Sequence, residues 1–203
     1  FLADSYRDVA PFDLDALPVV SRALTTVPDP AGYVRYAVTE DGVSPRLVPG
    51  FCEATVVLDS DEHTPDGHIT EDLAVRVTMQ DKRMRKLSGL AQAALPPDVY
   101  GDPDGATLFA CWGSTLGAAL EAAEALSEKG EKAAVLHFSQ VWPFAPDAFL
   151  PTLRKARRAV MVEGNFAGQL ARLIRRETGY AFDGRVNRYD GLPLTAAYIL
   201  ERL

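Results

Sequence analysis

From Ala106 onward, apolar and polar positions alternate between two regular patterns. "ATLFACWGS" is a continuous apolar run that stops at Gly113-Ser114, as expected of a buried strand. "TLGAALEAAEALSEKG" follows with Leu and Ala at helical spacing and is closed by Gly130. The pattern then repeats. "KAAVLHFS" reads as a strand, residues 146–157 as a helix, "RAVMVEGN" as a strand and "AGQLARLIRRETG" as a glycine-closed helix. "GRVNRYD" and "PLTAAYILERL" supply a last strand and helix. This alternation predicts an α/β fold with a mostly parallel sheet flanked by helices. In such sheets ligands gather at the carboxyl ends of strands. Here those ends are Gly113-Ser114, Ser139-Gln140 and Glu163-Gly164-Asn165.

The first half of the chain follows neither pattern. Pro11, Pro18, Pro28, Pro30, Gly32, Gly42, Pro45, Pro49 and Gly50 crowd residues 1–50 and predict an irregular, extended segment with no long helix. This part shows no core of its own and is expected to pack on something else. "GYVRYAVTEDGVSPRLVPG" reads as a hairpin around Asp41-Gly42, and "ATVVLD" (54–59) as a short strand. A loop over Ser60–Ile69 follows, turned by Pro65, Asp66 and Gly67. A helix is then expected from Thr70 as its N-cap. Glu71 and Asp72 would sit in its first turn, with Leu73, Val77, Met84 and Leu87 as its buried stripe. Lys82, Arg83, Arg85 and Lys86 would fall toward its C-terminal end, where the helix dipole favours cations.

Composition narrows the function classes. With 203 residues, 47% hydrophobic and 24% charged, the chain can build one good-sized core or a core plus an extension. A net charge of −7 and a pI near 5.0 argue against a nucleic-acid binder. No apolar run is long enough to span a bilayer, and no signal-peptide pattern is present, so a cytoplasmic location is expected. Cys52 and Cys111 lie far apart without CxxC spacing and cannot alone supply the four thiolates of an iron–sulfur cluster. The chain opens on Phe1, and "FLADSYRDVAPFDL" is expected to be text entered mid-sequence.

Three places invite chemistry, each beside a structural reading. "CWGSTLGAA" offers backbone N–H groups at a helix start, but has neither GxGxxG nor P-loop spacing; the preferred reading is that Ser114 caps the helix and Gly117 lets it pack closely on the sheet, which needs no ligand. "VEGNFAGQ" sets Glu163, Asn165 and Gln169 at a strand end, as a polar site or as a cap with Asn165 on the helix and Glu163 on loop backbone. "SDEHTPDGHITEDLAVRVTMQDKRMRKL" (60–87) packs His63 and His68 among acids before a basic run. It supports three readings: a metal site without recognised ligand spacing, a solvated loop and charged helix, or an anion-recognition wall at a subunit junction. His137, inside an apolar strand, reads as a core or interface histidine. No catalytic triad or carboxylate pair can be picked out.

The 60–87 stretch resembles the alpha subunit of 2-oxoacid:ferredoxin oxidoreductases, especially the 2-oxoglutarate type, which carries a similar sDEH…GH…E…R…m..KRmrKl run. "FLADSYRDVAPFDL", "GYVRYAVTEDGVSPRLVPG", "WGSTLGAALEA" and "VEGNFAGQLARLIRRETG" match in the same order, so the resemblance spans essentially the whole chain.

It implies a complete enzyme that oxidatively decarboxylates a 2-oxoacid on thiamine diphosphate with magnesium. Coenzyme A takes the acyl group, and electrons pass through an iron–sulfur cluster to ferredoxin. It implies that this chain is the part similar to the C-terminal domain of transketolase. Residues 1–27 would be the tail of the preceding thiamine domain, 28–101 an extension and 102–203 the regular core. The family's YPITPST-type thiamine motif and GDG…N motif do not occur. The resemblance therefore implies partners, namely the rest of the alpha subunit and a beta subunit, and no self-contained catalysis, metal or cofactor here. On this reading the dense polar loop followed by a cationic helix end is expected to face the active-site mouth. There Asp61 and His63 would position or polarise the 2-oxoacid, and Lys82 or Arg83 would attract its carboxylate or a coenzyme A phosphate. Two other readings stand beside it: a non-catalytic docking domain of another thiamine enzyme, and a flavodoxin-like binding protein.

Overall fold

An apolar strand buried on both faces is the centre of the sheet. In the computed structural model, which describes residues 11, 13–17, 32–47 and 55–203, β2 (Thr107–Trp112) is buried at every position but its last. It pairs in parallel with β3 (Ala133–Phe138) on one side and β4 (Arg158–Glu163) on the other. The edges are β5 (Gly184–Asn187), parallel to β4, and β1 (Asp98–Tyr100), antiparallel to β3. The order is β1-β3-β2-β4-β5, so the sheet is mostly parallel, as its run of buried strands implies. The short antiparallel β1 was not anticipated, because "DVY" is too brief to show a period.

Alternation along each strand sends successive side chains to opposite faces. Leu108, Ala110, Leu136, Phe138 and Met161 share a core with α3 (Leu150–Lys155) and α4 (Gln169–Thr178), through Phe149, Leu150, Leu153, Leu170 and Ile174. Phe109, Cys111, Val135, Val160 and Val162 share another with α2 (Leu116–Glu128) and α5 (Ala196–Leu200), through Ala119, Ala122, Leu126 and Ile199. Helices therefore cover both faces. The helix expected over 146–157 is broken into a 3₁₀ turn, Pro146–Ala148, and α3. The expected C-terminal glycines of α2 and α4 are present: Gly130 and Gly179 both take positive φ, 82° and 75°.

The chain divides into two compact units, with residues 94–203 in one and 11–93 in the other. In the second, residues 32–47 and 55–59 contain no strand, against the hairpin and the 54–59 strand expected. The Asp41-Gly42 turn does form, with the Val43 N–H donating to Asp41 Oδ1 at 2.9 Å. Its flanks are joined by side-chain bonds, Ser44 hydroxyl to the Ala37 carbonyl at 3.0 Å and Leu47 N–H to the Tyr33 hydroxyl at 3.2 Å, and not by a strand ladder, and both flanks bond to α1 (Leu73–Gln92). The Lys82 ammonium donates to the Tyr36 carbonyl at 3.1 Å and to the Ser44 hydroxyl, and Arg85 donates to the Thr39 carbonyl at 3.2 Å. Residues 1–10, most of the segment to 31, Cys52 and Ala54 lie outside the described residues.

α1 departs from expectation in three ways. It starts at Leu73, because the Asp72 carboxylate accepts from Ala74 and Val75 N–H at 2.7 and 3.0 Å, a stronger cap than Thr70. It runs on to Gln92, which leaves the basic cluster mid-helix. And its expected stripe faces outward: Leu73 is 80% exposed, Val77 60% and Met84 51%, with Leu87 half-buried. The buried face carries Met79 and Lys82.

Candidate functional site

The strand order reverses between β2 and β4, the position where α/β sheets open a crevice. A cavity of about 330 Å³ lies there, lined by Trp112–Thr115 after β2, Gly164 after β4, and Arg188, Tyr189 and Gly191–Leu194 after β5. Ser114 is exposed at its wall, in the 3₁₀ turn Gly113–Thr115. It does not cap α2. Thr115 holds the N-cap position, and its hydroxyl donates back to the Trp112 carbonyl at 2.7 Å. His137 is half-buried beside this turn, its Nε2 3.2 Å from the Gly113 carbonyl oxygen.

The neighbouring polar residues are spent on holding α4. Glu163, fully buried at the end of β4, accepts from Leu170 N and Ala171 N at 2.9 and 3.1 Å, from Trp112 Nε1 at 3.2 Å and from Asn165 Nδ2 at 2.9 Å. Asn165 Oδ1 accepts from Gly168 and Gln169 N–H at 2.8 and 3.2 Å. Gly168 takes φ +64°, the left-handed region that suits glycine. "EGNFAGQ" is thus a helix-entry device that satisfies orphan donors and sets an acceptor charge at a positive helix end. Gln169 is exposed and, with Glu163 and Asn165, lies outside the cavity lining. Arg188, Tyr189 and the 191–194 loop were missed; the strand-end rule extended to β5 would have found the first two.

The 60–87 stretch folds into a closed loop against a helix, within the unit 11–93. Thr64 N–H donates to the His68 carbonyl at 2.8 Å and Thr70 N–H to the Glu62 carbonyl at 2.9 Å, joining the two sides of the turn. Gly67, at φ +98°, closes it so tightly on residue 57 that a Cβ would lie 2.4 Å from the Val57 carbonyl oxygen. Glu62 is the electrostatic anchor. Arg76 and Arg83 each reach its Oε2 at 2.8 Å, and these two guanidiniums hold its carboxyl well below the usual range, at about 2. His63 stacks on Tyr36, with ring centroids 3.6 Å apart, and its Nδ1 is buried without a partner. His68 faces outward on Asp66, at 3.1 Å.

The structure brings together three of the four predicted residues. His63, Lys82 and Arg83 line one cavity of about 130 Å³, with Tyr36, Gly42, Met79 and Lys86. Asp61 is exposed and is not part of that lining. Lys82 is 6% exposed; burial, and then Lys86, Arg35, Arg83 and Arg85 around it, lower its proton affinity. Tyr36 and Lys86 were missed, since no spacing rule links position 36 to a helix that begins at 73.

Among the described residues, Cys111 does not fit the role of a ligand to the iron–sulfur cluster that the resemblance places in the complete enzyme. Cys111 is wholly buried in the sheet, and burial pushes its thiol up to about 12, the reverse of a cluster ligand. Among the described residues no group of three or more His, Cys, Asp or Glu gathers as a metal site. Among the described residues no helix is long and apolar enough to cross a membrane.

The three-layer arrangement with its central β2 agrees with a family match: residues 102–198 match "Transketolase, C-terminal domain", and this part of the chain has a transketolase C-terminal-like fold. The relatives are more particular. The chain is 34% identical, over 96% of its length, to "2-oxoacid:ferredoxin oxidoreductase 2, subunit alpha" of Aeropyrum pernix, of which it covers 30%. It is 30% identical, over its whole length, to "2-oxoacid:ferredoxin oxidoreductase 1, subunit alpha" of Sulfurisphaera tokodaii, of which it covers 32%. A solved 2-oxoglutarate:ferredoxin oxidoreductase from Magnetococcus marinus, with 2-oxoglutarate, coenzyme A and succinyl-CoA bound, superposes with a TM-score of 0.70 at 29% identity. That superposition covers 84% of this chain and 30% of the other. The chain is thus similar along essentially its whole length to alpha subunits of 2-oxoacid:ferredoxin oxidoreductases, and spans about a third of the length of the curated relatives it matches.

Proposed function

We propose that this chain is the transketolase-C-terminal part of the alpha subunit of a cytoplasmic, thiamine-diphosphate-dependent 2-oxoacid:ferredoxin oxidoreductase, with 2-oxoglutarate as its substrate. The similarity running through the 60–87 loop and helix, as well as the domain core, carries this reading. On it, the β/α unit is a rigid scaffold and the 60–87 device a charged wall at the mouth of an active site completed by other domains. Thiamine diphosphate, magnesium and the iron–sulfur cluster sit on those domains and on the beta subunit, while coenzyme A and ferredoxin act on the assembled enzyme. The roles here are binding and orientation. Asp61 is exposed and would meet a ligand from the loop, and Arg83, braced by Glu62, would present a fixed cation to a carboxylate or phosphate. Ser114 and the strand-end cavity beside it are a second polar surface of the same chain.

The test is steady-state kinetics of the complete enzyme reconstituted with its beta subunit, with 2-oxoglutarate and pyruvate compared as substrates. Asp61→Ala, His63→Ala and Arg83→Ala are expected to lower kcat/KM for the preferred oxoacid by about tenfold or more, the effect of losing one charge-assisted contact. Unchanged kcat/KM in all three would remove these residues from the site. The outward stripe of Leu73, Val77 and Met84 favours a second reading, in which the segment pairs subunits. It predicts that stripe variants lose beta-subunit association while the surviving complexes keep normal kinetics.

A further inference from the structure

The 130 Å³ cavity in the unit 11–93 has a lining whose charge is unbalanced. Four of its seven residues carry ionisable nitrogen (His63, Lys82, Arg83 and Lys86) and none is a carboxylate. Glu62, the acid bound to this cluster, already accepts from both Arg76 and Arg83. Lys86 has no carboxylate partner among the described residues. Lys82 commits two of its three ammonium protons, to the Tyr36 carbonyl and the Ser44 hydroxyl. His63 holds a buried ring nitrogen with nothing bonded to it. An arrangement of like charges and an unmet polar atom is costly by itself and becomes favourable with an anion in place.

The walls are fixed. Gly42, at φ +78°, lies so close to α1 that a Cβ would sit 2.3 Å from the Lys82 carbonyl oxygen and 2.8 Å from the Lys86 nitrogen. Met79, 1% exposed, and the Tyr36 ring close the cavity with apolar surface, and the Arg35 guanidinium stands 4.8 Å from the centre of that ring. The volume is that of about four waters, room for one oxyanion group and little beyond it.

We infer that this cavity is a binding site for a single oxyanion group, carboxylate or phosphate, at the end of a larger ligand, with Arg83 and Lys86 as its charges and His63 as a further hydrogen-bonding group. Lys82 is the positioning residue: it ties the 36–44 loop to α1 and adds charge from behind. The inference rests on the proposed function for its choice of ligands and deepens it, since a 2-oxoacid and coenzyme A both end in such groups.

The experiment uses the full chain and three probes: inorganic phosphate, coenzyme A and glutarate. Each is titrated by calorimetry and by the ring ¹H–¹⁵N signals of His63. The expected result is saturable one-site binding of at least one probe with a shift of the His63 signals, weakened about tenfold by Lys86→Met and unaffected by Lys129→Met. Lys86 lies at the cavity, and Lys129 is an exposed cation of the other unit. Binding of phosphate and coenzyme A without glutarate assigns the site to a phosphate, and the converse assigns it to a carboxylate. Absence of saturable binding by all three, or equal weakening by both methionine variants, overturns the site. An inactive reconstituted enzyme with probe binding intact would instead remove the proposed function and leave the site standing.

Discussion

Replacing Glu163 by alanine should unlatch α4 from the sheet. The carboxylate gathers four donors, two of which, Leu170 N–H and Ala171 N–H, are buried in the first turn of the helix. Trp112 Nε1 and Asn165 Nδ2 belong to partly exposed residues and can turn to water. The two backbone donors cannot, and each buried unsatisfied donor costs about 1–3 kcal/mol. Their sum, about 4 kcal/mol, is a large share of a domain's stability. Glu163→Gln keeps one oxygen. Placed at Oε2 it retains three of the four bonds and turns an amide N–H₂ toward Ala171 N–H, so its cost should be about half. Urea unfolding followed by tryptophan fluorescence isolates the effect, because Trp112 and Trp142 both lie in the unit 94–203. With an m-value of about 2 kcal/mol/M, the midpoint should fall by about 2 M in the alanine variant and about 1 M in the glutamine variant. An alanine variant with the parental midpoint would show that the carboxylate is not what holds the helix, and would free Glu163 for a role in binding.

Glu62 supplies a pH test. Its carboxyl is held at about 2 by hydrogen bonds from Arg83 and Arg76, so its contribution is complete above about pH 5 and is lost as pH falls toward 2. Because the Arg76 side chain is 59% exposed, solvent screening reduces the contribution to about 1–2 kcal/mol. Carbon-13 titration of the Glu62 carboxyl should show the low midpoint, and Arg83→Met should raise it toward 4; a midpoint near 4 in the parent chain refutes the pairing. Gly42→Ala should destabilise the unit 11–93 by about 3 kcal/mol, since the new Cβ meets helix backbone that cannot retreat. Amide exchange along α1 reads this, and unaltered protection of residues 79–86 would contradict it. In a Cys52→Ser background, Cys111 should react with a thiol reagent at pH 8 only as fast as the protein unfolds, because burial raises its thiol to about 12. Prompt labelling of the folded chain would refute this.

Residues 106–203 were legible because their chemistry is local. Strands buried on both faces are apolar over most of their length, as β2 is from Leu108 to Trp112, and helices that end on Gly130 and Gly179 carry their stop signal in the sequence. In "EGNFAGQ" the capping role of Asn165 was open to sequence reading for the same reason, since its donors lie three and four residues on, whereas Glu163 bonds helix N–H groups seven and eight residues on and not the loop backbone expected. The orientation of α1 was not. Leu73, Val77 and Met84 form the stripe that periodicity assigns to a core, yet Met79 and Lys82 are the buried residues, and of these Lys82 is the one that patterning misplaces. Its burial is decided by the Tyr36 carbonyl and the Ser44 hydroxyl, 46 and 38 residues earlier, which satisfy an ammonium that hydrophobic patterning counts only as polar. The cavity formed by His63, Arg83 and Lys86 arises from that same long-range docking, for partners chosen across such distances leave no period in the chain.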